Sequence, residues 1–463
     1  MKISNPPPSY FTLRTLTVSG DPESSRRYTH LFRRFGNVQD GFAVSEFQFL
    51  LHSLCGFWIR PRSPIEHSDL PVVYIPLSMK LIDNIPCWGD PVFPEALKQL
   101  DNARATGAER LALMADHHVG YGVPIGGVVA YRHRISPSGI GYDIACGNKA
   151  VRLDVDAIKV KSKINPYMDE IFSKISFGVG RANNEEVDHP LFDDEAWKMP
   201  VLKSRKDKAR AQLGTVGSGN HYVDIFEDEQ HRIWVGVHFG SRGLGHGIAE
   251  HFMDLAKAQN QIAEGITWLS TEKADGEDYL EAMRIAGEYA YAGRDWVCAK
   301  VAKILRGTIV DEIHNHHNFA WKETHDGQDY WVVRKGATPA FPGQRGFVGG
   351  SMGDNSVILE GVESQSSRAA LYSTVHGAGR VMSRSHAKGR KGQEGAVSKE
   401  DMSRWIKRMN VSLRGADVDE APQVYKRLHR VLEHHSESVR VLHTLTPLGV
   451  AMAGKDIRDP YKD

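Results

Sequence analysis

The chain has little cysteine and no long apolar run. Its 463 residues include four cysteines, none of them in a Cys-x-x-Cys pair, and so few widely spaced thiols do not form a disulfide framework. No stretch approaches the roughly 20 apolar residues that span a bilayer, and the opening MKISNPPPSY lacks the charged-then-apolar layout of a signal peptide. We therefore expect a cytoplasmic protein in a reducing compartment, with no membrane partner.

A strong net charge is also absent. The 58 Lys and Arg residues nearly balance the 57 Asp and Glu residues, for a net charge of +1, so any site for a polyanion must be a local patch. The sequence contains no Walker A pattern, which argues against a P-loop nucleotide site. It also contains no internal repeat. Apolar residues make up 41% and charged residues 25%, as is typical of a globular protein with a substantial core.

Turn-forming residues dominate the beginning of the chain, in stretches such as NPPPS, GDPESSRR and RPRSPIEHSDLP. We expect residues 1–75 to be a poorly defined leader or an appended segment. From residue 76 to residue 463 the composition and patterning are typical of a folded enzyme, so we expect one large domain there.

The patterning of residues 76–463 predicts both helices and strands. Amphipathic periodicity predicts helices over residues 94–106, 277–305 and 422–435. Apolar alternation predicts strands over residues 232–240, 329–336 and 356–361. Gly293 is expected to interrupt the long helix, and Ser398 with an acid three residues later predicts a helix N-cap. Because there is no regular βαβ rhythm, we expect an α+β fold with central mixed or antiparallel sheets, flanking helices and glycine-rich active-site loops.

Five glycine-rich turns adjoin chemically active side chains. They read GYGVPIGG, SGIGYDIACG, GTVGSGNH, HFGSRGLGHG and FVGGSMGDN, and each lies beside His, Asp, Cys, Ser or Asn. Glycine allows unusual backbone angles and lets a ligand approach main-chain N–H groups closely. Five such turns indicate a shared site for an anion and a metal.

Two of these turns carry residues of the metal-ligand type. Asp143 and Cys146 stand three residues apart in GYDIACG and could share one metal ion or bridge two; the alternative is a helix cap and a buried structural thiol. Asn220 and His221 in GSGNHYVDI suit a phosphate contact and a metal ligand; the alternative is a capped turn.

Histidines complete the set of candidate ligands. His238 ends a predicted strand four residues before Arg242, whose guanidinium could hold a phosphate, although a surface hairpin is the alternative. The segment DEIHNHHNFAWKETH holds several histidines, of which we expect one or two to be ligands. The combined set suits two transition-metal ions and consists of Asp143, Cys146, His221, His238 and His314.

The run HGAGR places His376 before three small residues and Arg380. A neutral imidazole nitrogen attacks phosphorus only if the two come within about 3–3.5 Å in line. Small neighbours would leave room for that approach, and a guanidinium would offset charge on the phosphate oxygens. A core histidine in a tight turn is the alternative, but it leaves the arginine unexplained, so we favour a nucleophile.

Together these strings resemble the RtcB-type 3′-phosphate RNA ligases, a family of tRNA-splicing and RNA-repair enzymes. The resemblance runs in order over about residues 80–455, through LMADHHVGYGVPIGG, GIGYDIACG, GSGNHYVDI, VHFGSRGLGH, IHN, RKGATPAF, GGSMG and HGAGRVMSR. It implies a ligase catalytic domain over residues 76–463 that uses GTP. The expected substrates are an RNA 3′-phosphate or 2′,3′-cyclic phosphate end and an RNA 5′-hydroxyl end, joined through a histidine–GMP intermediate.

Position by position, the resemblance implies a role for each motif. It implies two Mn²⁺ ions on Asp143, Cys146, His221, His238 and His314, with Cys146 bridging, and His376 as the residue that takes GMP. It implies a GTP site formed by Asn220, Asp224, Asn315, Gly349, Gly350, Ser351, Met352, Ser356, Gly377, Ala378, Gly379, Tyr425 and Lys455. It implies phosphate or RNA contacts from Asp116, Arg242, Arg380 and Arg384. Manganese rests on the resemblance alone, because ligand softness would favour Zn²⁺.

The chain departs from the family pattern at several positions, and two other functions stay open. Asp224 stands where the family has Glu, and Lys455 is displaced by one position from the usual terminal lysine. One alternative function is a dinuclear metal phosphoesterase that forms no covalent intermediate, and the other is a non-catalytic protein that binds RNA ends. The resemblance also leaves room for an activating helper protein.

Overall fold

The computed structural model describes residues 79–390 and 393–454. The expected leader over residues 1–75 and the predicted nucleotide contact Lys455 lie outside the described residues. Among the described residues, no helix is long and apolar enough to cross a membrane.

Strands and helices alternate irregularly along the described chain. The strands are β1 (Lys80–Ile82), β2 (Ile85–Cys87), β3 (Arg110–His118), β4 (Ile125–Tyr131), β5 (Arg134–Ile135), β6 (Gly147–Asp154), β7 (Tyr222–Asp228), β8 (Ile233–Phe239), β9 (Ile262–Ala263), β10 (Ile266–Thr267), β11 (Leu269–Ser270), β12 (Thr308–His316), β13 (Asn318–His325), β14 (Gln328–Lys335), β15 (Ala337–Pro339), β16 (Arg345–Val348), β17 (Ser356–Gly361), β18 (Ser373–Val375), β19 (Gly389–Arg390), β20 (Gln393–Glu394), β21 (Ser412–Ala416) and β22 (Val439–Gly454). The α-helices are α1 (Pro94–Asp101), α2 (Pro137–Ile140), α3 (Ala157–Ser162), α4 (Ile164–Lys174), α5 (Pro200–Lys203), α6 (Lys206–Gln212), α7 (Arg242–Ala258), α8 (Ala274–Leu305), α9 (Gln365–Ala369), α10 (Arg384–Lys388), α11 (Lys399–Arg408) and α12 (Leu428–Glu433).

Two large mixed sheets organise the fold. The first has the order β12-β6-β8-β7-β22-β17-β16, with β21 added parallel to β22. The second has the order β1-β2-β3-β4-β14-β13, and its only parallel pair is β2 with β3 among the strands described. The remaining pairings of both sheets are antiparallel. The expectation of an α+β fold with mixed sheets is therefore confirmed.

Helix α8 connects two parts of the core. Its first two-thirds pack into one hydrophobic cluster with residues such as Tyr279 and Tyr289, and its last turns supply Val297 and Val301 to a second cluster under the first sheet. The predicted interruption at Gly293 is wrong, because the helix runs unbroken through this position. A Cβ atom there would lie 3.3 Å from the Phe239 ring, so the glycine lets the helix pack closely on β8.

The other sequence predictions differ in outcome. Strands at 232–240, 329–336 and 356–361 are confirmed as β8, β14 and β17. The Ser398 hydroxyl accepts a hydrogen bond from the Asp401 N–H at 3.0 Å, which confirms the cap of α11. The predicted helix over 422–435 is shorter, covering only Leu428–Glu433, because Tyr425 is extended and bridges to Arg380.

Candidate active site

A cavity of about 1430 Å³ opens where strand ends and glycine-rich loops of the two sheets meet. Most of the site residues expected from sequence line this cavity. They are Asp143, Cys146, Asn220, His221, Asp224, His238, Arg242, Gly349, Gly350, Ser351, Met352, His376, Gly377, Ala378, Gly379, Arg380, Arg384 and Tyr425. Asp116 and Ser356 stand behind the lining and contact it, whereas His314 and Asn315 lie elsewhere.

A cysteine and two histidines form the centre of the cavity wall. The Cys146 Sγ lies 3.6 Å from His221 Nε2 and 3.2 Å from His238 Nε2, and all three side chains are buried. The His221 Nδ1 lies 2.9 Å from the carbonyl oxygen of Val216. Because a carbonyl only accepts, Nδ1 carries a proton, and Nε2 is the ring nitrogen directed at the thiol. The three ligand atoms are close enough to hold one metal ion.

Asp143 extends this cluster. Its Oδ2 lies 3.1 Å from His221 Nε2. Burial alone would raise the pKa of Asp143, but the hydrogen bond and the charge of His221 outweigh it and lower the pKa to about 2. Burial lowers the pKa of His238 well below its ordinary value, and the charges of the nearby His221 and His376 add to this effect. The cluster thus offers an ionised carboxylate and a neutral imidazole, both good ligand forms.

The structure places His314, a predicted ligand, outside this cluster and outside the cavity lining. His314 lies within β12, where alternate side chains point to opposite faces of the sheet. Its ring packs against Tyr291 of α8 with centroids 4.2 Å apart, and its Nε2 accepts a hydrogen bond from Arg294 at 2.8 Å. Asn315 points the other way, and its Oδ1 accepts from the Phe347 N–H at 3.3 Å, so it is not in the cavity either.

His317, just beyond the end of β12, occupies the expected position instead. Its backbone N–H donates to the carbonyl oxygen of Cys146 at 2.8 Å, and its ring centroid lies 4.9 Å from that of His238. The side chain is buried, and its Nδ1 has no hydrogen-bond partner within the part of the chain that the structure describes. Burial lowers the pKa of His317 well below its ordinary value, so an uncharged ring lies beside that of His238. The next residue, Asn318, also lines the cavity.

The sequence contains the signal for this correction. The segment IHNHHN holds the dipeptide His-Asn twice, and pattern alone does not say which copy lies at the strand end. The strand register decides, because β12 pairs with β6 as far as His316 and Gly147. Only the second copy therefore emerges beside Cys146.

His376 is held by a buried carboxylate. The His376 Nδ1 lies 2.6 Å from Asp116 Oδ2, which also accepts hydrogen bonds from the backbone N–H groups of His376 and Gly377. Burial raises the pKa of Asp116, but the charge and hydrogen bonds of His376 outweigh it and leave the pKa below its ordinary value. An ionised Asp116 accepts a hydrogen bond from the Nδ1–H group, and this tautomer of the neutral ring leaves Nε2 with a free lone pair.

The backbone around His376 is built for close approach. Gly379 has φ +75°, and a Cβ atom there would clash with the backbone of Asp116. The ring of His376 lies 4.8 Å from that of His317 between centroids. The histidine–aspartate pair and the cysteine–histidine cluster are thus neighbours in one cavity.

A second wall of the cavity combines a glycine turn with an acid. Ser356 accepts a hydrogen bond from the Gly350 N–H at 2.9 Å, which fixes the turn of residues 349–352. Asp224 of β7 is buried, with one carboxyl oxygen to which no group of residues 79–390 or 393–454 donates a hydrogen bond. Burial raises the pKa of Asp224 well above its ordinary value. This wall therefore offers unused hydrogen-bonding capacity to a ligand.

The predicted phosphate contacts differ in their surroundings. Arg380 donates to the Met382 and Asp419 carbonyls and to the Tyr425 hydroxyl, at 3.1, 2.9 and 3.1 Å. Arg384 forms an ion pair with Glu420. These two guanidinium groups are already tied to the protein. The cavity lining also contains two basic residues that sequence analysis missed, Arg205 and Lys208, and Lys208 lies close to Gly243, the chain neighbour of Arg242.

A buried arginine supports the cluster from behind. Arg294 of α8 is fully buried, and its guanidinium donates to the carbonyl oxygens of Ala145 and Phe239 at 3.0 and 2.5 Å. Those residues are the chain neighbours of Cys146 and His238. No carboxylate faces the guanidinium at hydrogen-bond distance among the described residues, and burial lowers its pKa to about 10. Arg294 thus links helix α8 to the two chain segments that carry Cys146 and His238.

The fold and the site define an α+β protein with a cysteine–histidine metal-type centre beside a histidine–aspartate pair. A family model described as tRNA-splicing ligase RtcB matches residues 99–200 and 192–453. The chain belongs to this family.

Individual relatives agree with the family match. The RNA-splicing ligase RtcB of Escherichia coli K12 is 31% identical over 393 residues, covering 77% of this chain and 94% of that protein. The tRNA-splicing ligase RtcB of Thermococcus kodakarensis is 32% identical, covering 73% and 86%. The tRNA-splicing ligase RtcB of Archaeoglobus fulgidus is 29% identical, covering 85% and 97%.

Proposed function

We propose that this protein is a GTP- and Mn²⁺-dependent RNA ligase. It joins an RNA 3′-phosphate or 2′,3′-cyclic phosphate end to a 5′-hydroxyl end through a histidine–GMP intermediate, in tRNA splicing or RNA repair. The observation that carries the proposal is the Nδ1–carboxylate bond of 2.6 Å between His376 and Asp116, in the same cavity as the cysteine–histidine cluster. Family membership and the names of the relatives support the RNA substrate.

The donor residues around Cys146 would hold a pair of divalent cations. The donors are Asp143, Cys146, His221, His238 and His317, the last in place of His314. The unpartnered Nδ1 of His317 is the observation that favours this assignment. Bound cations would supply charge stabilisation at the phosphate oxygens and would activate a hydroxide to open a cyclic phosphate.

The remaining cavity walls would hold the nucleotide. Asn220, Asp224, the turn of residues 349–352, Tyr425 and the backbone of residues 377–379 line the space beside His376. We assign Asn318 rather than Asn315 to this group, because only Asn318 faces the cavity. The unpartnered Asp224 oxygen suits a donor on the edge of a base.

The chain's own groups account for the proton and electron pairs of each step. The Nε2 lone pair of His376 attacks the α-phosphorus of GTP, an N–P bond forms, and pyrophosphate leaves. The Nδ1 proton stays on the ring, where Asp116 stabilises the positive charge. An oxygen of the RNA 3′-phosphate then attacks the same phosphorus and releases His376. Finally the 5′-hydroxyl oxygen attacks the activated RNA phosphate, the new phosphodiester forms and GMP leaves, while the hydroxyl proton passes to the departing GMP or to solvent.

Covalent labelling tests the proposal. Protein incubated with Mn²⁺ and [α-³²P]GTP should retain label after denaturation, and a 3′-phosphate RNA with a 5′-hydroxyl RNA should then give a joined product on a gel. His376→Ala should lose both signals. The matched control is His429→Ala, an exposed histidine of α12, which should keep both. Equal labelling of His376→Ala would refute the nucleophile, and RNA hydrolysis without any label would favour a metal phosphoesterase.

A further inference from the structure

Three aromatic rings from three separate segments meet at the rim of the cavity. The centroids of Tyr121 and Tyr142 are 5.6 Å apart, and Tyr142 stacks on His246 with centroids 4.9 Å apart and an interplanar angle of 23°. Tyr121 lies in the loop after β3, Tyr142 precedes Asp143, and His246 lies on α7. All three line the cavity that contains the cysteine–histidine cluster.

These rings are open to solvent. Tyr121 is 45% exposed and Tyr142 is 38% exposed, and neither belongs to a hydrophobic cluster of the described residues. Packing of the core therefore does not explain why three separate segments bring flat rings together. Stacked rings with open edges and faces offer a flat ligand a favourable contact of the kind that nucleobases make.

Positive charge lies directly beside the rings. Arg205 packs so closely over Gly247 that a Cβ atom there would clash with its guanidinium, and a Cβ atom on Gly243 would lie 3.4 Å from Lys208 Nζ. Both glycines flank His246 on α7. Lys335 donates to the carbonyl oxygen of Tyr121, with its Nζ 6.0 Å from the Tyr121 ring. The acids on this part of the lining are Glu250 and Asp143, which belongs to the cysteine–histidine cluster, and the three basic groups outnumber them.

We propose that Tyr121, Tyr142 and His246 form a stacking platform for the base of a terminal RNA nucleotide, with Arg205 and Lys208 contacting its backbone phosphate. The inference rests on the proposed function and adds a binding site to it. A single-stranded RNA end presents an unstacked base and a charged backbone together, which matches rings and cations side by side. Since Tyr142 is next to Asp143 in the chain, a base held there brings the end of its strand to the cysteine–histidine cluster.

Fluorescence of a terminal base tests the platform. Two RNA oligonucleotides carry 2-aminopurine, one as the last base before a 3′-phosphate and the other as the first base after a 5′-hydroxyl, so that the two arms show which end the platform holds. On binding to the full-length protein, the fluorescence of one of them should be quenched by stacking. Replacing that base by an abasic site should weaken binding to the wild-type protein about tenfold, as measured by fluorescence anisotropy.

Variants separate stacking from general damage. Tyr142→Leu should lose the quenching and should bind the base-bearing and abasic RNAs equally, whereas Tyr142→Phe should restore both the quenching and the preference. The matched control is Phe172→Leu, which removes an exposed ring that stacks on Phe177 outside the cavity lining, and it should behave as wild type.

The failure of the platform can be told apart from the failure of the proposed function. No quenching in either arm, equal binding of abasic and base-bearing RNA by the wild-type protein, or no RNA binding at all would overturn the platform. If wild-type protein is labelled by GTP and joins RNA in those cases, the ligase stands without the platform. If quenching occurs but neither label nor joined product forms, it is the proposed function that fails.

Discussion

At the residue scale, the hydrogen bond between His376 and Asp116 determines which imidazole nitrogen can act. Asp116→Asn places an amide where the carboxylate was, and an amide N–H facing Nδ1 would favour the tautomer with the proton on Nε2. We expect covalent labelling by GTP to slow by about 10³- to 10⁴-fold, as for a comparable Asp-to-Asn change in a Ser-His-Asp triad. The measurement is the single-turnover rate of labelling. A rate within a few-fold of wild type would mean that Asp116 does not set the tautomer.

The choice between His314 and His317 makes a second prediction. His317→Ala removes a buried, unpartnered donor beside Cys146 and should weaken binding of Mn²⁺ at least tenfold by titration calorimetry, the lower end of what even indirect ligand contacts contribute. His314→Gln keeps an acceptor for Arg294 and should retain the affinity. The opposite ranking of the two variants would restore His314 as the ligand.

At the scale of elements, sequence patterns predicted where strands occur better than they predicted where each strand ends. The apolar alternation before His238 placed β8 correctly, because a strand buried on both faces has an unmistakable composition. The pattern of the histidine run did not identify which histidine lies beside Cys146. A shift of one residue in a strand reverses the face of every side chain, and nothing in the local sequence fixes that register. Gly293 was misjudged for a similar reason, since the contact with Phe239 that requires a small residue comes from a distant strand. The basic and aromatic rim was missed because its members lie scattered over four segments.

Helix α8 carries Arg294, which hydrogen-bonds to the segments that hold Cys146 and His238. Arg294→Lys supplies one ammonium in place of a guanidinium that serves two carbonyls and two imidazoles, so buried acceptors lose their partners. Each lost partner costs about 1–3 kcal/mol, and we expect lower stability in urea together with weaker Mn²⁺ binding. Arg306→Lys, an exposed change at the end of the same helix, is the control and should alter neither. Unchanged metal affinity in a destabilised Arg294→Lys protein would limit the arginine to a structural role.

At the scale of the whole molecule, the cysteine–histidine cluster gathers residues from distant parts of the chain, from Asp143 to His317. A metal ion that binds only this folded arrangement must stabilise it, by about 2.7 kcal/mol at a hundredfold excess over its Kd. Thermal unfolding should therefore shift to higher temperature with Mn²⁺. Cys146→Ala should abolish the shift, whereas Cys298→Ala should lower the starting Tm and retain it, since Cys298 is buried in the core away from the cluster. A full shift in Cys146→Ala would place the metal elsewhere.

Strand β22 gives this architecture a consequence for biosynthesis. It lies between β7 and β17 in the first sheet, although it follows both in the chain by a long interval. While the ribosome is still translating the preceding segments, the hydrogen-bonding edges of β7 and β17 have no partner, and exposed edges of this kind invite aggregation. A nascent chain that stalls before Val439 would therefore emerge with its sheet split in two, and we expect such fragments to require chaperones or to be degraded.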